Sequence, residues 1–163
     1  MLVFLAVSFN VEAQVSMSKV ELEKKAAEGD PRAQYELGRN YFYCVINAVL
    51  KYEYSESDKS TIKEFEILEK AKERNRLFDE EKNNLHSNAL KRRQREMVET
   101  FHRMLYYYKD APNAIEIMAI LNKAMYKEND SYLAAKKYLK QALDQKYLDA
   151  EEYLDMIAIL EKK

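Results

Sequence analysis

From residue 18 to residue 50 the apolar positions fall three and four apart: Leu22 and Ala26, then Ala33, Leu37, Tyr41, Cys44, Val45 and Ala48. Each set lies on one face of a helix at that spacing. Between them stands Gly29-Asp30-Pro31. Glycine adopts the left-handed conformation that ends a helix at little cost. Aspartate accepts from the free first-turn amides of the next helix, and proline suits its first position. A helix stop therefore stands against a helix start, which predicts two helices joined by a tight turn. Ser18 and Glu21 have the spacing of a capping box at the start of the first. Ala33 and Gly38 are small, as a closely packed partner helix in a hairpin requires. Inside a helix Gly38 costs about 1 kcal/mol relative to alanine, so packing must offset it.

The residues SESDKS, 55–60, read as a loop with Asp58 and Ser60 as capping candidates. From Thr61 to Tyr108 the chain reads as helix with hardly a breaker. Ile62, Phe65, Leu68 and Ala71 form one stripe; Leu90, Met97, Phe101, Met104 and Tyr108 form another. The polar run DEEKNN, 79–84, is either a solvent-bridging section of one long helix or the turn of a hairpin, and the hairpin is preferred. A break follows at Asp110–Asn113, with Pro112 and a box-like pair in Asn113 and Glu116. Ala114, Met118, Leu121 and Met125 make the next stripe. A polar turn over 127–131 precedes two final helices, over 131–145 and 148–161. Two glycines and two prolines are too few for a sheet-based fold, and 47% hydrophobic residues over 163 positions suffice for one core. The expected fold is all-α, in one domain.

The first residues differ from the rest. An apolar run from Leu2 to Phe9 is followed by Val11-Glu12-Ala13, whose outer positions fit a signal-peptidase site with Gln14 as the mature start. No Lys or Arg precedes the run, which is also too short to span a bilayer as a helix. The expectation is a signal peptide over 1–13 and a periplasmic or secreted domain over 14–163. If 1–13 stays attached, it becomes a buried N-terminal helix or strand of a cytoplasmic protein.

Lys and Arg number 27 against 28 Asp and Glu. That balance argues against general nucleic-acid binding, which needs a clustered positive surface. The one basic cluster is KRRQR, 91–95. There Arg92 and Arg95 share a helix side near Glu96 and Glu99, so the cluster is a solvated, ion-paired face or a contact for anionic lipid, polysaccharide or an acidic partner. Cys44, the only cysteine, can form no internal disulfide, and its apolar neighbours predict a small core hydrophobe. His86 and His102 are the only histidines and lack metal-ligand spacing, so no metal is expected. Neither glycine belongs to a phosphate-binding loop. No cofactor and no enzymatic activity are expected. Thirteen tyrosines without a tryptophan stand out, because tyrosine offers apolar area with a polar tip and serves well at interfaces. The run at 106–108 points in three directions on a helix, so at least one ring should be exposed. Tyr35, Tyr43, Tyr52, Tyr107 and Tyr126, with Arg92 and Arg95, are the candidate binding residues.

The two ends of the chain resemble each other. With Ala150 placed on Ala33, Leu154 falls on Leu37; upstream stand Ala134-Ala135, Tyr138-Leu139 and Ala142. This spacing resembles the SEL-one-like repeat, a short relative of the tetratricopeptide repeat. Gly29, Ala33, Gln34, Leu37, Gly38 and Tyr41 stand where that family places the second half of its unit. The C-terminal copy matches at Ala135, Tyr138, Ala142, Ala150 and Leu154. It departs at Lys146, Asp155 and Ala158, where the family has two glycines and a tyrosine. The resemblance covers 18–45 and 131–163 and leaves 58–128 as a diverged or inserted helical middle. It implies a short solenoid of stacked antiparallel helix pairs whose groove holds a protein segment or peptide, as in adaptors and scaffolds. The alternative is a sensor of envelope glycan or a small ligand, binding through exposed tyrosines.

Overall fold

Gly29 has φ 92°, its amide donates to Ala26 O at 3.1 Å and the Asp30 amide to Lys25 O at 3.0 Å. The Asp30 carboxylate then accepts from the Ala33 amide at 2.7 Å, with Pro31 opening the helix. The predicted stop and start are thus both present. The computed structural model describes residues 17–62 and 65–162, so the expected signal peptide lies outside the described residues. Among these it is all-helical: α1 (Lys19–Ala27), α2 (Pro31–Leu50), α3 (Glu56–Thr61), α4 (Glu66–Glu81), α5 (Ser87–Lys109), α6 (Ala114–Met125), α7 (Asn129–Asp144) and α8 (Glu151–Leu160). Single 3₁₀ turns stand at Lys82–Asn84, Tyr126–Glu128 and Leu148–Ala150.

The two ends of the chain meet. A small cluster of Leu22, Ala26, Ala33 and Leu37 holds α1 on α2. The most extensive helix contact is between α2 and α7. There Gly38 lies so close to α7 that a Cβ would meet Leu139 Cγ at 2.6 Å and the Leu139 amide nitrogen at 3.0 Å. Gly38 therefore makes room for a helix distant in sequence rather than for α1. Beside it the Tyr41 and Tyr138 rings stack at 6.1 Å, 4° from parallel. Buried Gln34 joins both contacts: its amide donates to Ala26 O at 3.2 Å and its oxygen accepts from Gln145 Nε2 at 2.7 Å. In space the order is α1, α2, α7, α8. The middle helices pack on the other sides of α2 and α8.

The turn from α7 to α8 repeats the backbone of the first. Lys146, the one non-glycine residue with positive φ (65°) among the described residues, donates to Leu143 O at 2.7 Å, and Tyr147 to Ala142 O at 3.0 Å. These are the same bonds at the same offsets, each four residues before a fully buried alanine, Ala33 or Ala150. Past the turn the correspondence lapses. Leu154, aligned with buried Leu37, is only partly buried, whereas α8 buries Tyr153, Met156, Ile157 and Leu160.

The middle is a hairpin. Helices α4 and α5 reverse at the 3₁₀ turn and are tied by Arg74–Glu96 at 3.2 Å and Arg93–Glu81 at 3.5 Å. Three local expectations need correction. Residues 56–61 form a helix rather than a loop: Ser55 caps it, and Asp58 stands third in a reciprocal capping box. Asn113 does not cap α6 through its side chain, which instead donates to Thr61 O at 2.7 Å and pins the end of α3. Cys44 is exposed, its thiol donating to Asn40 O at 3.7 Å. Helix α2 is the central helix, covered by α1, α7 and the middle, and the line through Asn40 and Cys44 is the side left to solvent.

Candidate binding groove

Tyr35, Arg39 and Tyr43 are spaced four apart and so share one face of α2. Opposite them the N-terminal half of α5 presents Lys91, Arg95, Val98 and Glu99. The floor and one end come from the α7–α8 turn and the start of α8: Leu148, Asp149, Glu152 and Tyr153. Together they enclose an open cleft of ≈ 330 Å³. Past Arg39 and Lys91 it continues into a second of ≈ 330 Å³, lined by Arg32, Glu36 and Asn40 from α2, Ser87, Leu90 and Gln94 from α5, and Met17 and Leu22 at the start of the chain's described part.

Arg39 is the centre of this groove. Its guanidinium carbon lies 5.6 Å from the Tyr35 ring centre and 5.9 Å from that of Tyr43, and Nη2 pairs with Glu36. Such stacking of a cation on aromatic faces is attractive and fixes the planar group in place. Only 22% of the side chain is exposed, and Nε is buried without a hydrogen-bond partner among the described residues. Burial by itself would lower the Arg39 pKa; the neighbouring Tyr43 and Glu36 outweigh it and hold the group above its ordinary range. Beneath, the Tyr35 and Tyr43 hydroxyls converge on that of Tyr153, whose ring meets Tyr35 edge-on at 5.9 Å and Phe42 at 5.8 Å. Burial pushes all three phenols above their usual pKa, Tyr153 furthest. Tyr147 closes the side, 4.9 Å from Tyr35.

Charge changes along the groove. Arg32 and Arg95 are exposed and form no ion pair among the described residues. With Arg39 and Lys91 they make one end basic, offset there by Glu36. One turn beyond Arg95 the α5 wall carries Glu99, and Glu152 lies on that side near His102, while Asp149 stands on the α7–α8 turn within electrostatic reach of Tyr35 and Tyr147. His102 stands between Glu152, 3.2 Å from Nδ1, and Asp155, 3.6 Å from Nε2, while the Tyr106 hydroxyl donates to Asp155 at 2.6 Å.

Of the residues expected to bind, Tyr35, Tyr43 and Arg95 come together here. Arg92 does not: 72% of its side chain is exposed on the outer side of α5, 4.0 Å from Glu96, which also holds Arg74 and Arg93. Tyr52 packs on Tyr54 at 4.9 Å beneath Lys127, 4.7 Å from its ring centre. Tyr126 is 63% exposed outside the cleft, and Tyr107 is exposed beside fully buried Tyr108. Arg39, Lys91, Asp149 and Tyr153 belong to the groove without having been singled out. Arg39 was within reach of the pattern, because it stands midway between two candidate tyrosines. Tyr153 was not, since only the packing of α8 on α2 brings it there. Cys44 borders a separate cleft lined by Met17, Lys19, Leu22, Leu37, Asn40 and Tyr41, without a histidine. Among the described residues no group of three or more His, Cys, Asp or Glu could hold a metal ion, and no helix is long and apolar enough to cross a membrane. Comparison of the chain with protein-family models, curated proteins and solved structures finds no match in any of the three.

Proposed function

We propose that this protein is a non-catalytic helical-repeat adaptor that holds an extended segment of a partner protein between α2, α5 and the start of α8. The observation that carries this reading is the continuous groove around the Tyr35–Arg39–Tyr43 ladder. From Ser87 to Glu99 its α5 wall is about 18 Å long at the helical rise, which accommodates roughly five residues of extended chain. The ladder is held from behind by Tyr153 and Glu36, so little side-chain freedom is lost on binding. Its phenols stay protonated and its arginine charged near neutral pH, which suits shape recognition and hydrogen bonding better than proton transfer. The paired turns at Gly29 and Lys146 support the repeat reading. Sugar stacking finds less support at this site, because Arg39 lies over both the Tyr35 and Tyr43 rings. We place the adaptor outside the cytoplasm, with Gln14 as its first residue; intact mass of protein from the host's cell fractions checks this, and a cytosolic form that retains Met1 refutes it.

Selection from a displayed library of random peptides tests the groove. Wild-type protein should enrich a shared motif that fails to bind an Arg39→Ala/Arg95→Glu variant of unchanged circular dichroism. Absence of any motif, or a motif held equally by the variant, would refute the reading.

A further inference from the structure

The groove has two unlike ends, and this determines what kind of segment fits it. At the basic end Arg32 and Arg95 form no ion pair among the described residues. A guanidinium in that state is completed by an acceptor from outside, and a carboxylate supplies two oxygens in the geometry that guanidinium matches. At the acidic end Glu99 likewise lacks an ion pair among the described residues, while Glu152 already serves His102. A uniformly acidic ligand would meet these carboxylates, and a uniformly basic one would meet Arg32, Arg39 and Arg95. Like charges brought together in a partly desolvated site oppose binding, which is how an interface excludes wrong partners. Between the ends the lining is Tyr35, Tyr43, Val98 and exposed Leu148, which offer apolar area with hydroxyl tips.

We infer that the groove selects a charge-polarised segment, with an acidic side chain seated against Arg95 beside Arg39, an apolar residue at Tyr43 and Leu148, and a Lys or Arg near Glu99. This inference rests on the peptide-binding reading and makes it specific. The second wall matters here. It comes from α5, in the middle of the chain, so the selectivity lies in the part of the sequence that carries no repeat pattern. Along α5 the change of sign is written at successive turns: Lys91, Arg95, Glu99.

The test uses blocked synthetic hexapeptides and fluorescence anisotropy at low and moderate salt. Glu-Glu-Leu-Tyr-Lys-Lys and its reversed sequence supply both chain directions; versions with all four charges acidic, or all four basic, are the comparisons. At least one polarised peptide should bind about tenfold more tightly than either uniform one, in line with measured effects of interfacial charge. Arg95→Glu, an exposed position, should remove about fivefold to tenfold of that affinity. A peptide with one of its two glutamates replaced by lysine should then regain part of it with the variant. A merely structural role for Arg95 would not produce that exchange. Equal binding of all four peptides, or tightest binding of a uniform one, overturns the inference. Should none bind while display selection still enriches peptides that need Arg39, polarity is wrong and the adaptor reading stands. Failure of both experiments removes both.

Discussion

The turns at Gly29 and Lys146 make the same two hydrogen bonds at the same offsets, yet one is built from the residue best suited to positive φ and the other from a lysine. The first is specified locally: glycine, aspartate cap and proline each favour it without help from distant parts of the chain. The second has no side-chain cap, and α8 starts from a 3₁₀ turn instead. What holds it is packing, through Ala150, Tyr153, Met156 and Ile157. Similar backbone can thus be produced by local preference or imposed by burial. The difference lies in what each hairpin loses when its support is removed.

The largest expected effect separates them by pH. The second hairpin buries tyrosine rings on both of its helices, Tyr132 on α7, whose hydroxyl donates to Glu161, and Tyr153 on α8, and Tyr54 is buried beneath the middle. Burial raises all three above their ordinary pKa. A group that holds its proton more tightly when folded contributes stability that is complete below its unfolded pKa, near 10, and declines as pH rises above it. Tyr54 and Tyr153 should therefore each remove up to about 1.4 kcal/mol per pH unit above pH 10, and Tyr132, whose hydroxyl lies nearer solvent, a smaller amount. Urea unfolding between pH 9 and 11 measures this. A Tyr132→Phe/Tyr153→Phe variant should show a visibly flatter slope, and an unchanged slope would mean those hydroxyls titrate freely.

Next comes the joint between the hairpins. Gly38→Ala recovers about 1 kcal/mol of helix propensity, but its Cβ would stand 2.6 Å from Leu139 Cγ and 3.0 Å from the Leu139 amide nitrogen, part of a backbone that cannot step aside. Overpacking of this kind costs about 1–3 kcal/mol, so a net loss of roughly 0–2 kcal/mol is expected from denaturant midpoints. In a Leu139→Ala background the same change should cost less, because the two sites are coupled. Stabilisation by Gly38→Ala alone would show that α2 and α7 do not approach this closely.

How much of this was legible in the sequence depends on the range of the cause. The Gly29 turn was legible because glycine, cap and proline act within a few residues, and the α4–α5 reversal because a wholly polar run separates two apolar stripes. Cys44 was misread as core: its neighbours are apolar, but which side of α2 faces water depends on α1 and α7, and α7 is remote in sequence. The smallness of Gly38 was visible, whereas its partner Leu139 was not. In the groove the four-residue spacing of Tyr35, Arg39 and Tyr43 is local information. That Arg95 faces them while Arg92 faces solvent follows only from how α5 is rotated against α2.

Two smaller effects test the turns themselves. Gly29→Ala should destabilise by about 1 kcal/mol, the strain of a Cβ at positive φ, since nothing lies within 4 Å to clash with it. Lys146→Gly should do the opposite and stabilise by about 0.5–1 kcal/mol, by relieving that strain at the second turn. Both are read from thermal or urea midpoints. Equal and same-signed effects at the two positions would contradict the view that one turn is locally specified and the other imposed.

The central claim is that a partner segment occupies the groove between α2, α5 and the start of α8. Its most direct test is an NMR titration of labelled protein with a peptide obtained by display selection. Saturable shifts confined to residues around Tyr35, Arg39, Tyr43, Val98 and Leu148 are predicted. Shifts centred instead on Tyr52 and Tyr126, or none at saturating peptide, would contradict it.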